Sequence, residues 1–499
     1  MTAPRLSLAT LDRLPPDVAG PRYDVASQKL GIVHLGIGAF NRAHQAVYVD
    51  DRLAAGERDW AILGASLRSP DTRDALAPQN GLYTVLVRSG EADRPRVIGS
   101  VRHLLVAPEN PDALLAAMSD PNVRVVSLTV TEKGYCHDPA SGELREDHPD
   151  IIRDLASPNR PLSAPALLVE ALRRRREDGV PSFTVLCCDN LPANGKTVRR
   201  VVTRFAQLRD PDLGRFVGNE VAFPSTMVDR IVPATTDADR AFVTERLGLT
   251  DAWPVSTEPF SQWVIEDNFP AGRPRLEEAG AQLVADVAPY ETMKLRLLNG
   301  AHSTLAYLGY LAGHETISDA MAQPAFARLA RGLMDDEVTP TLSVPPGGDL
   351  AGYKNQLLSR FENTALRHRT WQIAMDGSQK LPQRLLNTAR DRLREGAPID
   401  RIALGVAGWM RYVVGNDEKG QSIDVRDPLS ERLRALADAA GPDAARLTPA
   451  LLGVREVFGD DLPGEPRFVA AVRGALDQLF TKGAARAVED VAREPETVK

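Results

Sequence analysis

The sequence predicts two domains, an α/β domain over residues 1–286 and a mostly α-helical domain over residues 287–499. Three observations support this division. The chain has 499 residues, and a single hydrophobic core rarely grows beyond about 250–300 residues. Strand-like and helical segments alternate up to about residue 287, which is typical of a mostly parallel sheet covered by helices. Beyond that point apolar residues recur at helical spacing and strand patterns nearly vanish.

The first domain is expected to contain five strands rich in Val, Ile, Leu and Thr. These strands are predicted at Leu30–Leu35, Trp60–Leu67, Val123–Thr131, Phe183–Cys188 and Val255–Ile265. Helical patterns separate several of them, as the crossover connections of parallel strands require. Two further segments, Tyr83–Arg88 and Arg96–Leu105, are typical of an inserted hairpin.

The second domain is expected to be built from amphipathic helices. They are predicted at Met293–Tyr310, Phe326–Asp335, Leu381–Glu395, Ile402–Val414 and Phe468–Leu479. The domain boundary is placed near Asp286–Pro289. Asp286 or Ala288 can cap a helix there, and Pro289 suits its first turn. Glu291 suits the positive end of the helix dipole.

Composition and charge favour a soluble globular protein and argue against nucleic-acid or membrane partners. The chain is 43% hydrophobic and 25% charged, with a net charge of −7, and no long basic stripe interrupts the mixture of acids and bases. The run Arg173–Arg176 precedes Glu177 and is interpreted as the solvated end of a helix. The most apolar helical stretch, Leu295–Leu311, contains Arg296 and His302, which argues against a membrane span.

Cysteine usage indicates neither a disulfide framework nor a metal site. The cysteines are Cys136, Cys187 and Cys188, and the adjacent pair lacks the spacing of zinc ligands. This usage fits a reducing compartment, and no secretory signal is visible. We therefore expect a cytoplasmic protein, either a monomer or a small homo-oligomer.

The first candidate site is a glycine-rich turn between the strand at Leu30–Leu35 and a helix expected to run to about Ala54. The turn consists of Gly36, Ile37, Gly38, Ala39 and Phe40. In a dinucleotide fingerprint the first glycine permits a tight turn and the second lets the backbone approach a pyrophosphate. Asn41 occupies the place of the third glycine, so the motif taken alone also fits a plain strand-to-helix turn.

Two residues after the second predicted strand bear on the choice of cofactor. Asp71 could accept hydrogen bonds from the ribose hydroxyls of NAD, whereas Arg68 could pair with the phosphate of NADP. Their distance from the glycines exceeds the usual spacing of about 20 residues. NAD is favoured and NADP stays possible.

A rival interpretation comes from the segment Asn190-Leu-Pro-Ala-Asn-Gly195-Lys196-Thr197, which nearly matches a phosphate-binding P-loop. It would make the protein a nucleotide-binding kinase. The first position is Asn190 instead of glycine, and its side chain would crowd a loop that wraps phosphate in backbone N–H groups. This interpretation is kept only as a remote alternative, together with a non-catalytic ligand-binding protein.

The second candidate site is the helix predicted at Met293–Tyr310. In an α-helix Lys294 and His302 share one face, with Asn299 beside His302, and Gly300 is expected to keep the backbone accessible. Desolvation lowers the pKa of a partly buried lysine, so Lys294 could serve as a base, and amides can hold a developing alkoxide. The same pattern also fits a structural lysine and a buried core histidine.

Taken together, these motifs resemble those of the mannitol dehydrogenase family, the polyol-specific long-chain dehydrogenases that include mannitol 2-dehydrogenases and fructuronate reductases. The resemblance extends from Leu30 to about Leu433, and Asn41 is normal in that family's glycine turn. The motifs that carry it are Gly36–His44, Thr129–Tyr135, Cys188–Gly195, Met227–Arg230, Lys294–Ser303, Asp376–Lys380 and Gly408–Tyr412.

The resemblance implies a Rossmann-like domain followed by a helical domain, with the site between them. It implies that Lys294 is the general base and that Asn190 and Asn299 hold the reacting oxygen. His302 would orient the substrate. Further contacts are implied for other residues: Asp229 and Lys380 to the substrate, and Glu132 on the cofactor side, as a proton relay or as a capping or ion-pairing group.

One departure from the family bears on the substrate. Gln372 occupies the place where mannitol-oxidising members often have an arginine, a context closer to the sugar-acid branch, where Lys380 or Arg369 could bind a carboxylate. The sequence therefore predicts metal-independent hydride transfer between NAD(P) and C2 of a linear hexose-derived substrate. D-mannonate/D-fructuronate is favoured. D-mannitol/D-fructose or a sugar-phosphate polyol is the alternative.

Overall fold

The chain divides into two units, Met1–Ala288 and Pro289–Lys499. The computed structural model describes residues 3–90, 93–138, 141–345 and 348–493. The strands of the first unit are β1 (Leu30–Leu35), β2 (Ala61–Ser66), β3 (Tyr83–Val87), β4 (Arg94–Ile98), β5 (Val101–Val106), β6 (Val125–Leu128), β7 (Thr184–Cys187), β8 (Thr226–Asp229), β9 (Val255–Thr257), β10 (Gln262–Glu266) and β11 (Gln282–Val284). Its helices are α1 (Ala39–Ala43), α2 (Gln45–Ala54), α3 (Asp71–Leu76), α4 (Pro111–Ser119), α5 (Pro149–Ala156), α6 (Ala164–Glu177), α7 (Asn194–Arg209), α8 (Pro211–Glu220) and α9 (Asp237–Leu247).

A five-stranded sheet of order β5-β2-β1-β6-β7 forms the centre of the first unit. All of its neighbouring strands pair in parallel. Both faces are covered, because Val33 and Leu35 of β1 pack into one apolar layer and Ile32 packs into the other. The mostly parallel, helix-covered sheet predicted from strand–helix alternation is therefore confirmed, as is the Rossmann-like fold that the family resemblance implied.

Two of the predicted strand segments are wrong as single elements. Val255–Ile265 is divided into β9, which pairs with β3, and β10, which pairs with β8 and β11. Pro259 lies in the break, and a proline cannot donate to a strand ladder. Arg96–Leu105 also divides, since β4 forms the expected hairpin with β3 while β5 joins the edge of the parallel sheet beside β2.

The arginine run at the end of α6 is not simply solvated, contrary to the interpretation from sequence. Arg175 is buried, and the carbonyls of Met118, Asp120 and Val123 accept from its Nη1 at 2.9–3.0 Å. Its Nε donates to the Pro181 carbonyl at 2.7 Å. Burial lowers its pKa to about 10. Arg175 therefore ties the end of α6 to the chain segments that enter β6 and β7.

The helices of the second unit follow a capped start, where Asp286 Oδ1 accepts from Ala288 N at 3.0 Å. They are α10 (Ala288–Met293), α11 (Gly300–Leu311), α12 (Ile317–Met321), α13 (Pro324–Gly332), α14 (Leu350–Glu362), α15 (Thr370–Ala374), α16 (Gly377–Leu381), α17 (Asn387–Arg394), α18 (Asp400–Tyr412), α19 (Ser430–Ala440), α20 (Ala444–Leu452), α21 (Arg455–Phe458), α22 (Pro466–Lys482) and α23 (Ala484–Val491). The mostly helical character predicted for this part is confirmed.

Three of the predicted helices are interrupted by π-helical segments within the described residues. The segments are Lys294–Asn299, Leu333–Val338 and Pro382–Leu386. Pro382 has no N–H to donate, which accounts for the change at that point. Nothing in the side chains of Lys294–Asn299 signals the change of helix type.

Helix α11 lies at the centre of the second unit. Ten consecutive residues, Gly300–Gly309, are buried. Gly405 and Gly408 let α18 approach closely, because a Cβ at these positions would lie 2.6 Å from Thr304 Oγ1 and 3.0 Å from a Leu308 methyl carbon. The tight packing fixes the orientation of the residues at the start of α11. Across the described residues, no helix has the length and apolar character needed to cross a membrane.

Replacing Arg175 with leucine is expected to lower the free energy of unfolding by about 3 kcal/mol or more, because several buried carbonyls lose their donor. Urea denaturation measures the effect. The matched control is Arg176→Leu, since Arg176 is exposed and its loss should cost less than about 1 kcal/mol. Equal destabilisation by the two variants would contradict the bridging role of Arg175.

Candidate active site

The glycine turn lies at the carboxyl end of β1, and its two glycines have different roles. Gly36 has a φ of +92° and an added Cβ would overlap the Thr129 carbonyl oxygen, so only glycine fits. At Gly38 an added Cβ would meet the Gly36 oxygen at 3.8 Å, and the space beyond is open among the described residues. The backbone at Gly38 can therefore be approached closely by a ligand, as a dinucleotide fingerprint requires.

The helix after the turn is divided, whereas the sequence predicted one helix to about Ala54. Helix α1 ends at Ala43, His44 has a φ of −125° and a ψ of −90°, and α2 begins at the next residue. Asn41, in place of the third glycine, is fully buried. Its Nδ2 donates to Gln45 Oε1 at 3.3 Å across the division. This polar pairing explains how the larger residue is accommodated.

Arg68 and Asp71 both lie close to the carboxyl end of β2 and are exposed. The turn that carries them is closed by Ser66 Oγ, which donates to the Ser69 carbonyl at 2.5 Å. Asp71 is the first residue of α3. Both residues thus stay candidates for contacts with the adenosine end of a dinucleotide.

The carboxyl ends of β6 and β7 carry two predicted site residues. Glu132 is the first residue of a short 3-10 helix, Glu132–Tyr135, and Asn190 lies three residues after the last residue of β7 in an exposed position. Asp189, which the sequence analysis missed, connects the two ends. Its carboxylate accepts from Val130 N at 2.9 Å, Thr131 N at 3.1 Å and Tyr135 OH at 2.7 Å.

Burial raises the pKa of Asp189 to about 6, although the three hydrogen bonds favour its charged form and oppose the shift. A carboxyl group with a perturbed pKa at the carboxyl edge of a Rossmann sheet is a frequent feature of functional sites. Its signal in the sequence was available, since Asp189 is an acid placed directly before Asn190 and just after a buried strand.

The segment that resembles a P-loop has a packing role. A Cβ at Gly195 would lie 2.5 Å from the Phe223 carbonyl oxygen, and Gly195 N already donates to Asn194 Oδ1 at 2.7 Å. Asn194 Nδ2 donates to the Cys187 and Thr226 carbonyls at 3.2 and 2.9 Å. The loop therefore fastens β7 to β8, and its N–H group at Gly195 is not available to a phosphate.

Asp229, a predicted substrate contact, is the last residue of β8 and is buried. It pairs in antiparallel register with Gln262 of β10. The next residue, Arg230, donates from Nη1 to the Ala43 carbonyl at 2.5 Å, and burial lowers its pKa to about 10.

A mixed group of side chains in the first unit has the composition of a metal site. Ligand atoms of Cys136, His148 and Asp150 lie within 4.8 Å of one another. However, His148 Nδ1 accepts from Asp150 N at 3.2 Å. The group therefore does not fit a bound ion well.

In the second unit, Lys294 is buried and opens the first π-helical segment. Gly300 N bonds to the Leu295 carbonyl, which shows the i-to-i+5 hydrogen bonding of a π-helix. The continuous α-helix that was expected to place Lys294 and His302 on one face is therefore wrong between Lys294 and Asn299.

The expectation that Gly300 keeps the backbone accessible is wrong. An added Cβ would lie 2.7 Å from the Arg384 carbonyl oxygen, so glycine allows α11 to approach the third π-helical segment. The Arg384 guanidinium then reaches Ser303 Oγ, to which its Nη1 donates at 3.0 Å.

His302 is buried in an aromatic and cationic environment. Its ring stacks on Phe361 with centroids 5.2 Å apart and meets the edge of His368 at 4.6 Å. Burial lowers its pKa far below the usual value, and the charges of His368, Arg384, Arg360 and Lys380 lower it further. Its Nε2 has no hydrogen-bond partner among the described residues, so a neutral ring can offer this atom to a ligand.

The segment Asp376–Lys380 is fixed by a strained start. Asp376 has a φ of +55°, a left-handed conformation that non-glycine residues seldom adopt. Lys380 Nζ donates to the Met375 carbonyl at 2.6 Å.

Gln372 and Arg369 lie on the exposed side of α15 and its cap. The Nε atom of Arg369 lies 3.7 Å from Glu315 Oε1. The structure therefore brings Lys380, Arg384 and Arg360 into the electrostatic environment of His302.

Comparisons with known proteins agree with this arrangement. The mannitol dehydrogenase Rossmann domain model matches residues 30–278, and the mannitol dehydrogenase C-terminal domain model matches residues 286–480. The chain is 49% identical to D-mannonate oxidoreductase of Escherichia coli over 94% of this chain and 97% of the relative. It is 41% identical to mannitol 2-dehydrogenase of Aspergillus fumigatus over 91% of each chain.

Among solved structures, the chain is similar to Pseudomonas fluorescens mannitol 2-dehydrogenase in a ternary complex with NAD and D-mannitol. The two are 41% identical, with a TM-score of 0.90, over 98% of this chain and 100% of that chain.

His302 is expected to stay neutral between pH 8 and pH 5.5. NMR of the imidazole Cε1–H groups measures this, with the His302 signal assigned by its loss in His302→Gln. The exposed ring of His103 should change its shift within that range and serves as internal comparison. A His302 midpoint near 6.5 would contradict the expectation. Because the pKa is lowered in the folded state, this group should cost about 1.4 kcal/mol of stability per pH unit below the unfolded pKa.

Proposed function

Because the chain belongs to the mannitol dehydrogenase family, an oxidoreductase family, we propose that it interconverts D-mannonate and D-fructuronate with NAD and without a metal ion. The choice of sugar acid rests on one observation, the cationic environment of His302. Arg384, Arg360 and Lys380 all act on this ring. A carboxylate is the ligand group that such an environment binds best, through charge-assisted hydrogen bonds.

The residues of the first unit fit a dinucleotide. The open backbone at Gly38 and the tight turn at Gly36 suit the pyrophosphate, with Ile37, Ala39 and Phe40 completing the turn. Arg68 and Asp71 would meet the adenosine end. When bound, NAD accepts hydride from C2 of the alcohol or returns it to the ketone.

The proposed chemistry of the chain's own residues concerns the C2 hydroxyl proton and the oxygen that carries it. Lys294 takes the proton during oxidation and returns it during reduction. Asn190 and Asn299 donate to the oxygen as negative charge develops on it. His302 Nε2 orients a neighbouring hydroxyl, because a neutral imidazole can bind it as donor or acceptor.

The polyol reaction, between D-mannitol and D-fructose, is the second candidate. The similarity to a mannitol 2-dehydrogenase seen with NAD and D-mannitol favours it. The two candidates differ in one group, a carboxylate at C1 of the sugar acid in place of a hydroxyl, so the charge at the substrate decides between them.

The buried free cysteines fit a reducing compartment, and we propose the cytoplasm as the location.

Replacing Lys294 with alanine is expected to lower kcat by about 10²–10⁴-fold, the usual contribution of a general base. NADH binding, measured by fluorescence titration, should change less than about threefold. The control is Lys354→Ala, a part-buried lysine of the same unit that pairs with Asp335, which should keep kcat. Near-normal turnover of the Lys294 variant would refute its assignment as base.

Initial rates of NADH oxidation with fructuronate, tagaturonate and fructose discriminate between the two substrate classes. We expect the highest kcat/KM with fructuronate. Arg384→Gln should raise KM for fructuronate by about 10–100-fold, since a hydrogen bond to a charged group contributes about 1.5–3 kcal/mol, while KM for fructose stays near its starting value. A preference for fructose in the unmodified enzyme would establish the polyol alternative instead.

A further inference from the structure

We propose that Asp189 is a positioning residue, whose carboxylate sets the relative placement of Glu132 and Asn190 at the carboxyl edge of the parallel sheet. The inference rests on the proposed function, since it assumes that these two residues take part in the reaction. Glu132 follows β6 and Asn190 follows β7, and the two strands are neighbours in the sheet. Asp189 is the group that joins the turn after β6 to the end of β7.

The turn after β6 is held by hydrogen bonds from its backbone N–H groups to the Asp189 carboxylate. Asp189 Oδ2 accepts from Val130 N at 2.9 Å and Oδ1 accepts from Thr131 N at 3.1 Å. Thr131 has a φ of +65° and a ψ of 164°, a conformation that a β-branched residue adopts only when its surroundings impose it. Glu132 is the next residue, so its direction depends on the strained peptide that Asp189 holds.

The far end of the 3-10 helix is fixed by the same group. Tyr135 OH donates to Asp189 Oδ2 at 2.7 Å and lies 3.0 Å from Cys187 Sγ, at the end of β7. The Asp189 carbonyl accepts from Asn194 Nδ2 at 3.0 Å. Glu132 is thereby held from both sides, by Thr131 and by Tyr135, while the backbone of Asp189 holds the strand end from which Asn190 projects.

The groups that face this carboxylate make its charge state sensitive to pH. Tyr135 and Cys187 are both buried, and burial raises their pKa values well above the ordinary range, so they stay protonated. Glu132 adds a negative charge nearby, which helps to raise the pKa of Asp189 to about 6, after burial as the main cause. Below that pH a proton on Asp189 removes one of the acceptor sites that hold the turn.

The test is Asp189→Asn, which keeps the shape and removes the charge and one acceptor oxygen. We expect kcat for ketone reduction to fall about 10–100-fold, as small misplacements of reacting groups do, with KM changed less than threefold. In this direction Lys294 acts protonated, so acid does not deplete it. The unmodified enzyme should lose kcat below about pH 6, and the Asp189→Asn variant should show no such decline.

Asp154→Asn is the matched control. Asp154 is a buried carboxylate of the same unit that accepts from Ser163 N at 2.8 Å and Leu162 N at 3.3 Å. Its loss should lower the melting temperature while leaving kcat and its pH profile unchanged. If Asp189→Asn fails to fold, Tyr135→Phe removes a single hydrogen bond to the carboxylate and should lower kcat several-fold without changing KM.

Glu132→Gln and Asn190→Ala separate this inference from the proposed function. If both variants keep the unmodified kcat, the proposed roles of Glu132 and Asn190 fail, and the positioning role fails with them. If both lose activity while folded Asp189→Asn keeps its kcat and its acid decline, only the positioning role of Asp189 is refuted. Loss of kcat in all three, with the acid decline abolished by Asp189→Asn, supports it.

Discussion

At the carboxyl edge of the parallel sheet, the backbone of Gly36 lies against the Thr129 carbonyl with no room for a side chain. This contact joins the ends of β1 and β6, and Thr129 Oγ1 reinforces it by donating to the Gly36 carbonyl at 2.9 Å. Behind it, His34 bridges Ser127 and Thr129 at 2.8 Å on each side. The glycine turn and the turn that carries Glu132 are therefore parts of one fixed edge.

An equivalent close contact organises the second unit. Gly300 brings α11 against the third π-helical segment, and the buried length of α11 holds that crossing in place. Lys294 and Asn299 lie in the π-helical turn just before it. A π-helix hydrogen-bonds less regularly than an α-helix and is frequently found at functional sites. The packing around the segment offsets the free-energy cost of this less regular hydrogen bonding.

The sequence predicted the parallel sheet well because a strand buried on both faces is a largely apolar run, as at residues 60–65. It failed where one residue overrides a pattern, as Pro259 does within Val255–Ile265. The motifs indicated candidate site residues such as Gly36 and Lys294, whose roles stay predictions. Asp189 was visible as an acid directly before Asn190, but its contacts with backbone groups after another strand could not be predicted, because such contacts have no period in the sequence.

Sequence periodicity was also insufficient to predict the helix types of the second unit. Apolar spacing revealed its helices but not the change to a π-helix at Lys294–Asn299, since both helix types can bury the same residues. The prediction for the arginine run at the end of α6 failed in a different way. The run was interpreted as solvated, but its Arg175 is buried. For Arg175, long-range hydrogen bonds to backbone carbonyls decided the local structure.

The contact at Gly300 also bears on how this scaffold can evolve. Gly300 touches the backbone carbonyl of Arg384, whereas the guanidinium of Arg384 faces Ser303 and acts on His302. Any residue at position 384 supplies the carbonyl. A single substitution can therefore change the charge near His302 while the helix that carries Lys294 keeps its place.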